Sequence, residues 1–147
     1  MDKTEKTINK NLIYKGHILS LYVDEIETPF KTKATREYIH HAEGAACLAI
    51  KDGLIYLERQ YRYPYSKELL EVPAGKLDEG EDKFEGMKRE LQEEIGFISK
   101  DLRYLGYIYP SCGCMDEILH LFYSPINEIG DTNPDEDELI EIVKVTP

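Results

Sequence analysis

The sequence predicts a mixed-sheet α/β domain, in which extended segments flank one long amphipathic helix. Two observations carry this. Phe84, Met87, Leu91 and Ile95 recur at +3, +7 and +11, one stripe at helical period. Around that stretch lie short runs rich in Val, Ile, Leu and Tyr, separated by turn residues. In chain order, 12–14, 18–27 and 32–41 read as a meander of extended segments with a turn near 28–31. Residues 44–50 are small and apolar, Asp52-Gly53 is a hairpin turn signal, and 54–60 is the partner strand. A short strand at 68–72 ends at Pro73. The helix is expected over 78–95: Asp78, Glu79, Glu81 and Asp82 crowd its positive end and Gly96 stands at a left-handed stop. Strands at 102–109, 118–123 and 139–145 complete the reading. The apolar face of the meander, read as Leu19, Leu21, Val23 and Ile26, has little core of its own and needs a partner.

At 147 residues the chain has the size of one ordinary domain. Its net charge of −11 leaves no basic stripe to neutralise phosphates, so a nucleic-acid polymer is not an expected partner. No apolar run approaches membrane-spanning length, and MDKTEKTINK has no signal-peptide core, so neither membrane nor secretion is expected. Cys47, Cys112 and Cys114 make an odd count, which suits reduced thiols in a cytoplasm. Cys112-x-Cys114 lacks a second pair at zinc spacing, and buried or loop thiols are the plain reading.

The chemistry concentrates on the helix. At about 100° per residue, Glu90 and Glu94 lie roughly 40° apart on the margin of the apolar stripe, with Glu93 beside them toward solvent. Converging carboxylates repel one another, and a hard divalent cation with oxygen ligands relieves the repulsion. Mg²⁺ suits such a place, because it keeps waters and accepts phosphate oxygens, and it reverses the field that would otherwise repel a diphosphate. Arg89, adjacent to Glu90, is expected to orient a carboxylate through a bidentate bond. A merely solvated acidic face is the alternative. The fixed spacing, the preceding 75–80 turn and two inward-facing glutamates argue against it.

That spacing is Gly75-x5-Glu81-x7-Arg89-Glu90-Leu91-x-Glu93-Glu94-x-Gly96-Phe97, and it resembles the Nudix box with no position substituted. The resemblance implies a Nudix-like α/β/α sandwich with a mixed sheet behind the N-terminal antiparallel meander. Glu71-Val72-Pro73-Ala74-Gly75 before the box, Gln60-Tyr61-Arg62, and Tyr109-Pro110-Ser111-x-Gly113-x-x-Asp116-Glu117 after it look like the ADP-ribose pyrophosphatase branch. The implied reaction is hydrolysis of ADP-ribose, with Mg²⁺ or Mn²⁺, to AMP and ribose 5-phosphate. Other nucleoside diphosphate sugars or nucleotide derivatives are the alternative substrates, and a non-catalytic ligand sensor is a third reading. By the same resemblance Glu90 and Glu94 match the principal metal ligands, Glu93 a supporting one, and Ala74 a backbone carbonyl ligand. Arg62 matches a phosphate contact, Arg36 a nucleotide-side arginine acting across a homodimer, and Glu71 and Glu117 polar positions lining the site. The water-activating residue falls in Asp135-Glu136-Asp137-Glu138, with the register open between Glu136 and Glu138. The resemblance also divides the chain into a dimerising meander, 1–42, and a hydrolase domain, 43–147. Cys112 stands where the family loop usually has proline. Members of the branch usually continue into a C-terminal helix after the last strand, whereas this sequence stops at Thr146-Pro147. Tyr61, Tyr63 and Tyr65 are open between stacking on a base and packing beside Pro64, with packing preferred.

Overall fold

The computed structural model describes residues 2–126, 128–133 and 139–147. They form two compact units, one of residues up to Ala42 with Tyr109–Ile118, the other of Glu43–Ile108 with Leu119–Pro147.

The first unit is an antiparallel sheet built on β3 (Leu19–Glu27). One edge carries β1 (Lys6–Asn9) and then β2 (Leu12–Lys15), and the other carries β4 (Lys33–His41) along its whole length. The break between β1 and β2 falls at Asn11, whose amide N–H donates to Asp24 Oδ1 (3.0 Å) and whose side chain donates to the Val23 carbonyl (3.1 Å). β1 escapes a reading by pattern, because Lys-Thr-Ile-Asn offers a single apolar residue. The expected apolar face needs correction at one position. Side chains alternate along a strand, so Ile26 lies with Tyr22 and Asp24, opposite Leu19, Leu21 and Val23. On its own face Ile26 is buried and Tyr22 stacks on Tyr38, ring centroids 5.2 Å apart. The segment 109–118 adds to β4 through Ile39, whose N–H donates to the Cys114 carbonyl (2.8 Å) and whose carbonyl accepts from Asp116 N–H (3.1 Å).

The second unit is a seven-stranded mixed sheet. Its strands are β5 (Gly44–Lys51), β6 (Leu54–Arg62), β7 (Lys67–Glu71), β8 (Ala74–Lys76), β10 (Arg103–Ile108), β11 (Leu119–Pro125) and β13 (Glu141–Val145). β11 and β5 run parallel, and the remaining pairs are antiparallel. A two-stranded ribbon joins β9 (Phe97–Ile98) to β12 (Glu128–Ile129). The β5–β6 hairpin turns at Asp52 (φ 53°) and Gly53 (φ 75°), as the Asp-Gly signal leads one to expect.

Helix α1 (Lys83–Ile95) lies on β5, β8 and β9. Met87, Leu91 and Ile95 are buried against Ala45, Cys47, Ala49, Phe97 and Phe122, and Phe84 packs at the rim of this core. Among the described residues α1 is the one α-helix, and it covers one face of the sheet. The helix starts five residues later than the acidic run suggests. Gly80 takes φ +78°, which a right-handed helix cannot continue, and Asp82 is the N-cap, accepting from Phe84 N–H (2.9 Å) and Glu85 N–H (3.3 Å). Gly96 closes the helix in the left-handed conformation (φ 70°).

Candidate active site

Strand β8 and the turn after it bring the backbone to the polar margin of α1. Glu90 and Glu94 are 9% and 8% exposed, more deeply buried than a half-buried margin. Glu94 Oε2 accepts from Ala74 N–H (3.1 Å). Glu90 lies against Gly75: a Cβ built there would stand 2.0 Å from the carboxylate carbon and 2.2 Å from each oxygen. Gly75 is therefore a cradle that only a residue without a side chain provides. Because the crowded atoms are the end of a side chain, the carboxylate would give way before the backbone. Gly75→Ala is expected to lower turnover about 10-fold or more by displacing Glu90, with little change in thermal midpoint. Parallel rate and unfolding measurements check this, and an unchanged rate would show that Glu90 needs no such seat.

Arg89 organises the rest. Its Nε and Nη2 grip Glu81 Oε1 (3.0 Å) and Oε2 (3.1 Å), its Nη1 donates to Glu90 Oε1 and Glu93 Oε2 (both 2.9 Å), and its Nη2 also reaches the Lys76 carbonyl (3.1 Å). All five N–H groups of a guanidinium are thereby engaged. The bidentate partner of Arg89 is thus Glu81, and Arg89 gives Glu90 one bond. Glu81 was not among the expected site residues, although its fixed place in the 75–97 spacing marks it. Arg89 holds the Glu81 carboxyl below the usual 4.5, helped by Asp78 N–H, and the Arg89 pKa is pushed up chiefly by Glu81.

Arg62 and Glu71, expected to meet substrate, grip one another across β6 and β7, with Nε–Oε1 and Nη2–Oε2 both 2.9 Å. In the first unit, Glu5 holds the Arg36 guanidinium in a two-point ion pair. There too Glu117 lies 3.7 Å from His41 Nδ1, while Asp116 accepts from His41 N–H (3.0 Å) and pairs with His40 Nδ1 (2.7 Å). Those bonds to His40 and His41 outweigh burial and hold the Asp116 carboxyl below its usual range. Glu136 and Glu138 lie outside the described residues. Tyr61, Tyr63 and Tyr65 are exposed, Tyr63 by 84%.

Donor chemistry around α1 suits a divalent cation. Glu81, Glu90, Glu93 and Glu94 present four carboxylates against the one guanidinium of Arg89. All are hard oxygen donors, and Glu90 and Glu94 are turned toward backbone across a glycine cradle. Among the described residues no three Asp, Glu, His or Cys side chains stand close enough together to hold a metal ion by themselves. The oxygen donors of Glu90 and Glu94 beside Ala74 and Gly75 are of the chemical type that suits an ion which keeps waters and takes phosphate oxygens as further ligands.

Residues 40–147 match the NUDIX domain family. An ADP-ribose pyrophosphatase of Bacillus subtilis (strain 168) is 38% identical over 145 residues, covering 97% of this chain and 78% of that protein. A methanol dehydrogenase activator of Bacillus methanolicus is 35% identical over the same shares of each. Among solved structures, an ADP compounds hydrolase superposes with a TM-score of 0.86 at 20% identity, over 97% of this chain and 78% of that one, a likeness of fold. The chain belongs to the NUDIX domain family, whose members generally use a divalent metal.

Proposed function

We propose that this protein hydrolyses the diphosphate bond of ADP-ribose, with Mg²⁺ or Mn²⁺, to AMP and ribose 5-phosphate. The observation that carries the reading is the seat of Glu90 and Glu94 on Ala74-Gly75 with Arg89 clamped between Glu81, Glu90 and Glu93. Glu90 and Glu94, with Glu93 and the Ala74 carbonyl, would hold the cation. Such a cation would supply positive charge that offsets the diphosphate's own negative charge and would make water more acidic. Water oxygen bonds to one phosphorus, the bridging P–O bond breaks, and the water proton passes to a base in 135–138, Glu136 or Glu138. Arg62 would contact a phosphate, Glu71 and Glu117 would serve as polar positions lining the site, and Arg36 would reach the nucleotide across a homodimer. ADP-ribose is favoured because the similar Bacillus subtilis protein bears that activity in its name.

The equally covered methanol dehydrogenase activator is a reason to test other nucleotide derivatives side by side. A panel of nucleoside diphosphate derivatives with Mg²⁺, read as phosphate released after phosphatase coupling, ranks them. ADP-ribose is expected first. A different derivative turned over faster would move the assignment to that substrate.

Residues 1–42 serve as a dimerisation element in this reading, and 43–147 as the hydrolase domain. Ile8, Leu12, Ile13, Tyr14 and Ile18 stand exposed on the β1/β2 side of the N-terminal sheet, an apolar edge that a second copy would cover. Sedimentation is expected to give a dimer at micromolar concentration, and a stable monomer would contradict it. In a dimer, Arg36→Ala is expected to weaken nucleotide binding at the neighbouring site. The free thiols at Cys47, Cys112 and Cys114 suit a reducing cytoplasm. Burial pushes the Cys47 thiol up to about 12, which makes it inert.

A further inference from the structure

A partly buried polar chain joins Tyr104, His120 and Glu43. His120, at the start of β11, is 8% exposed. Its Nδ1 meets the Tyr104 hydroxyl at 3.1 Å and its Nε2 meets Glu43 Oε2 at 2.8 Å. An ionised carboxylate only accepts, so Nε2 carries the proton, and in the neutral ring the tyrosine hydroxyl donates to Nδ1. Both ring nitrogens are satisfied. Around them the core is aromatic, with Tyr104 against Phe84 and Phe122 and Lys83 Nζ 4.1 Å above the Tyr104 ring.

Glu43 connects this chain to the site. It directly precedes β5, and its carbonyl accepts from Leu77 N–H (2.8 Å), the first residue after β8. That bond follows the Gly44–Lys76 pair and closes the ladder where the turn leaves the sheet. The neighbouring Lys76 carbonyl is the one Arg89 holds, and Arg89 holds Glu90 and Glu93. Leu77 is also fixed on its far side, since a Cβ at Gly86 would lie 2.3 Å from its Cδ2. The Glu43 side chain, 53% exposed, would otherwise swing freely in water. We infer that His120 is a positioning residue: through Glu43 it sets the turn after β8 and thereby Arg89 and the metal-holding carboxylates. This rests on the function proposed above.

Two substitutions separate positioning from simple packing. His120→Gln keeps an N–H donor close to the Nε2 position, while His120→Asn keeps reach to Tyr104 but not to Glu43. Amide hydrogen exchange over 75–81 and Mn²⁺ affinity by calorimetry are the readouts, and neither needs turnover. His120→Asn, and Glu43→Ala by the second route, are expected to speed exchange there and weaken Mn²⁺ binding about 10-fold, the usual size for groups behind metal ligands. His120→Gln should restore both to within about twofold of the parent, on the same reasoning. Equal behaviour of the Asn and Gln variants would overturn the inference. So would faster exchange in His120→Asn with unchanged Mn²⁺ affinity. Absence of ADP-ribose turnover in the parent would instead count against the proposed reaction, leaving the exchange contrast to judge His120.

Discussion

Glu94→Gln is expected to lower the hydrolysis rate about 100-fold or more, the scale of losing a group that stabilises transition-state charge. The substitution removes a negative charge and almost nothing else. Glutamine is isosteric, and its carbonyl oxygen can still accept from Ala74 N–H, the bond that seats Glu94 on β8. The fold should therefore survive, with a thermal midpoint near the parent's. Glu90→Gln should behave alike, because its remaining oxygen can still accept from Arg89 Nη1 in the Gly75 cradle. Steady-state rates at saturating Mg²⁺ alongside thermal unfolding make the check. Near-parent rates in either variant would reduce the helix face to a solvated acidic surface.

Arg89→Ala should cost both stability and rate. Glu81, Glu90 and Glu93 would lose their shared cation, and Glu90 would be left as a buried charge. Removing one partner of a buried ion pair costs about 3–5 kcal/mol. Arg89 keeps some contact with solvent, so about 2 kcal/mol is the better expectation, roughly a 5 °C fall in midpoint at this chain length. Arg89→Lys should rescue little. An ammonium has three donors on a flexible stem and cannot span five acceptor contacts in one plane. A lysine variant with parent rate and midpoint would mean that charge alone matters, not the fork.

What could be read without coordinates followed period and turn chemistry. The stripe Phe84, Met87, Leu91 and Ile95 places α1, Gly96 ends it, and Asp52-Gly53 bends the β5–β6 hairpin, because each depends on residues close in sequence. The helix start is not legible in the sequence, since a run of acids looks alike before and inside a first turn. Only the left-handed Gly80 and the Asp82 cap decide it. β8, β9 and β12 are two or three residues long and exist as strands through distant partners, which no local pattern reports. The period of two puts Ile26 on the face opposite Leu19, Leu21 and Val23. The site divides similarly. Spacing on one helix brings Glu90, Glu93 and Glu94 together, but the Arg89–Glu81 clamp, the Arg62–Glu71 grip and the His120–Glu43 bond join residues through tertiary geometry.

The most direct measurement begins with metal-stripped protein and ADP-ribose, followed by addition of Mg²⁺ and separation of the products. No conversion is expected before the addition. Afterwards AMP and ribose 5-phosphate should accumulate in equal amounts, and EDTA should halt them. Full turnover in the stripped protein, or intact ADP-ribose after Mg²⁺, would contradict a metal-dependent diphosphate hydrolase built on Glu90 and Glu94.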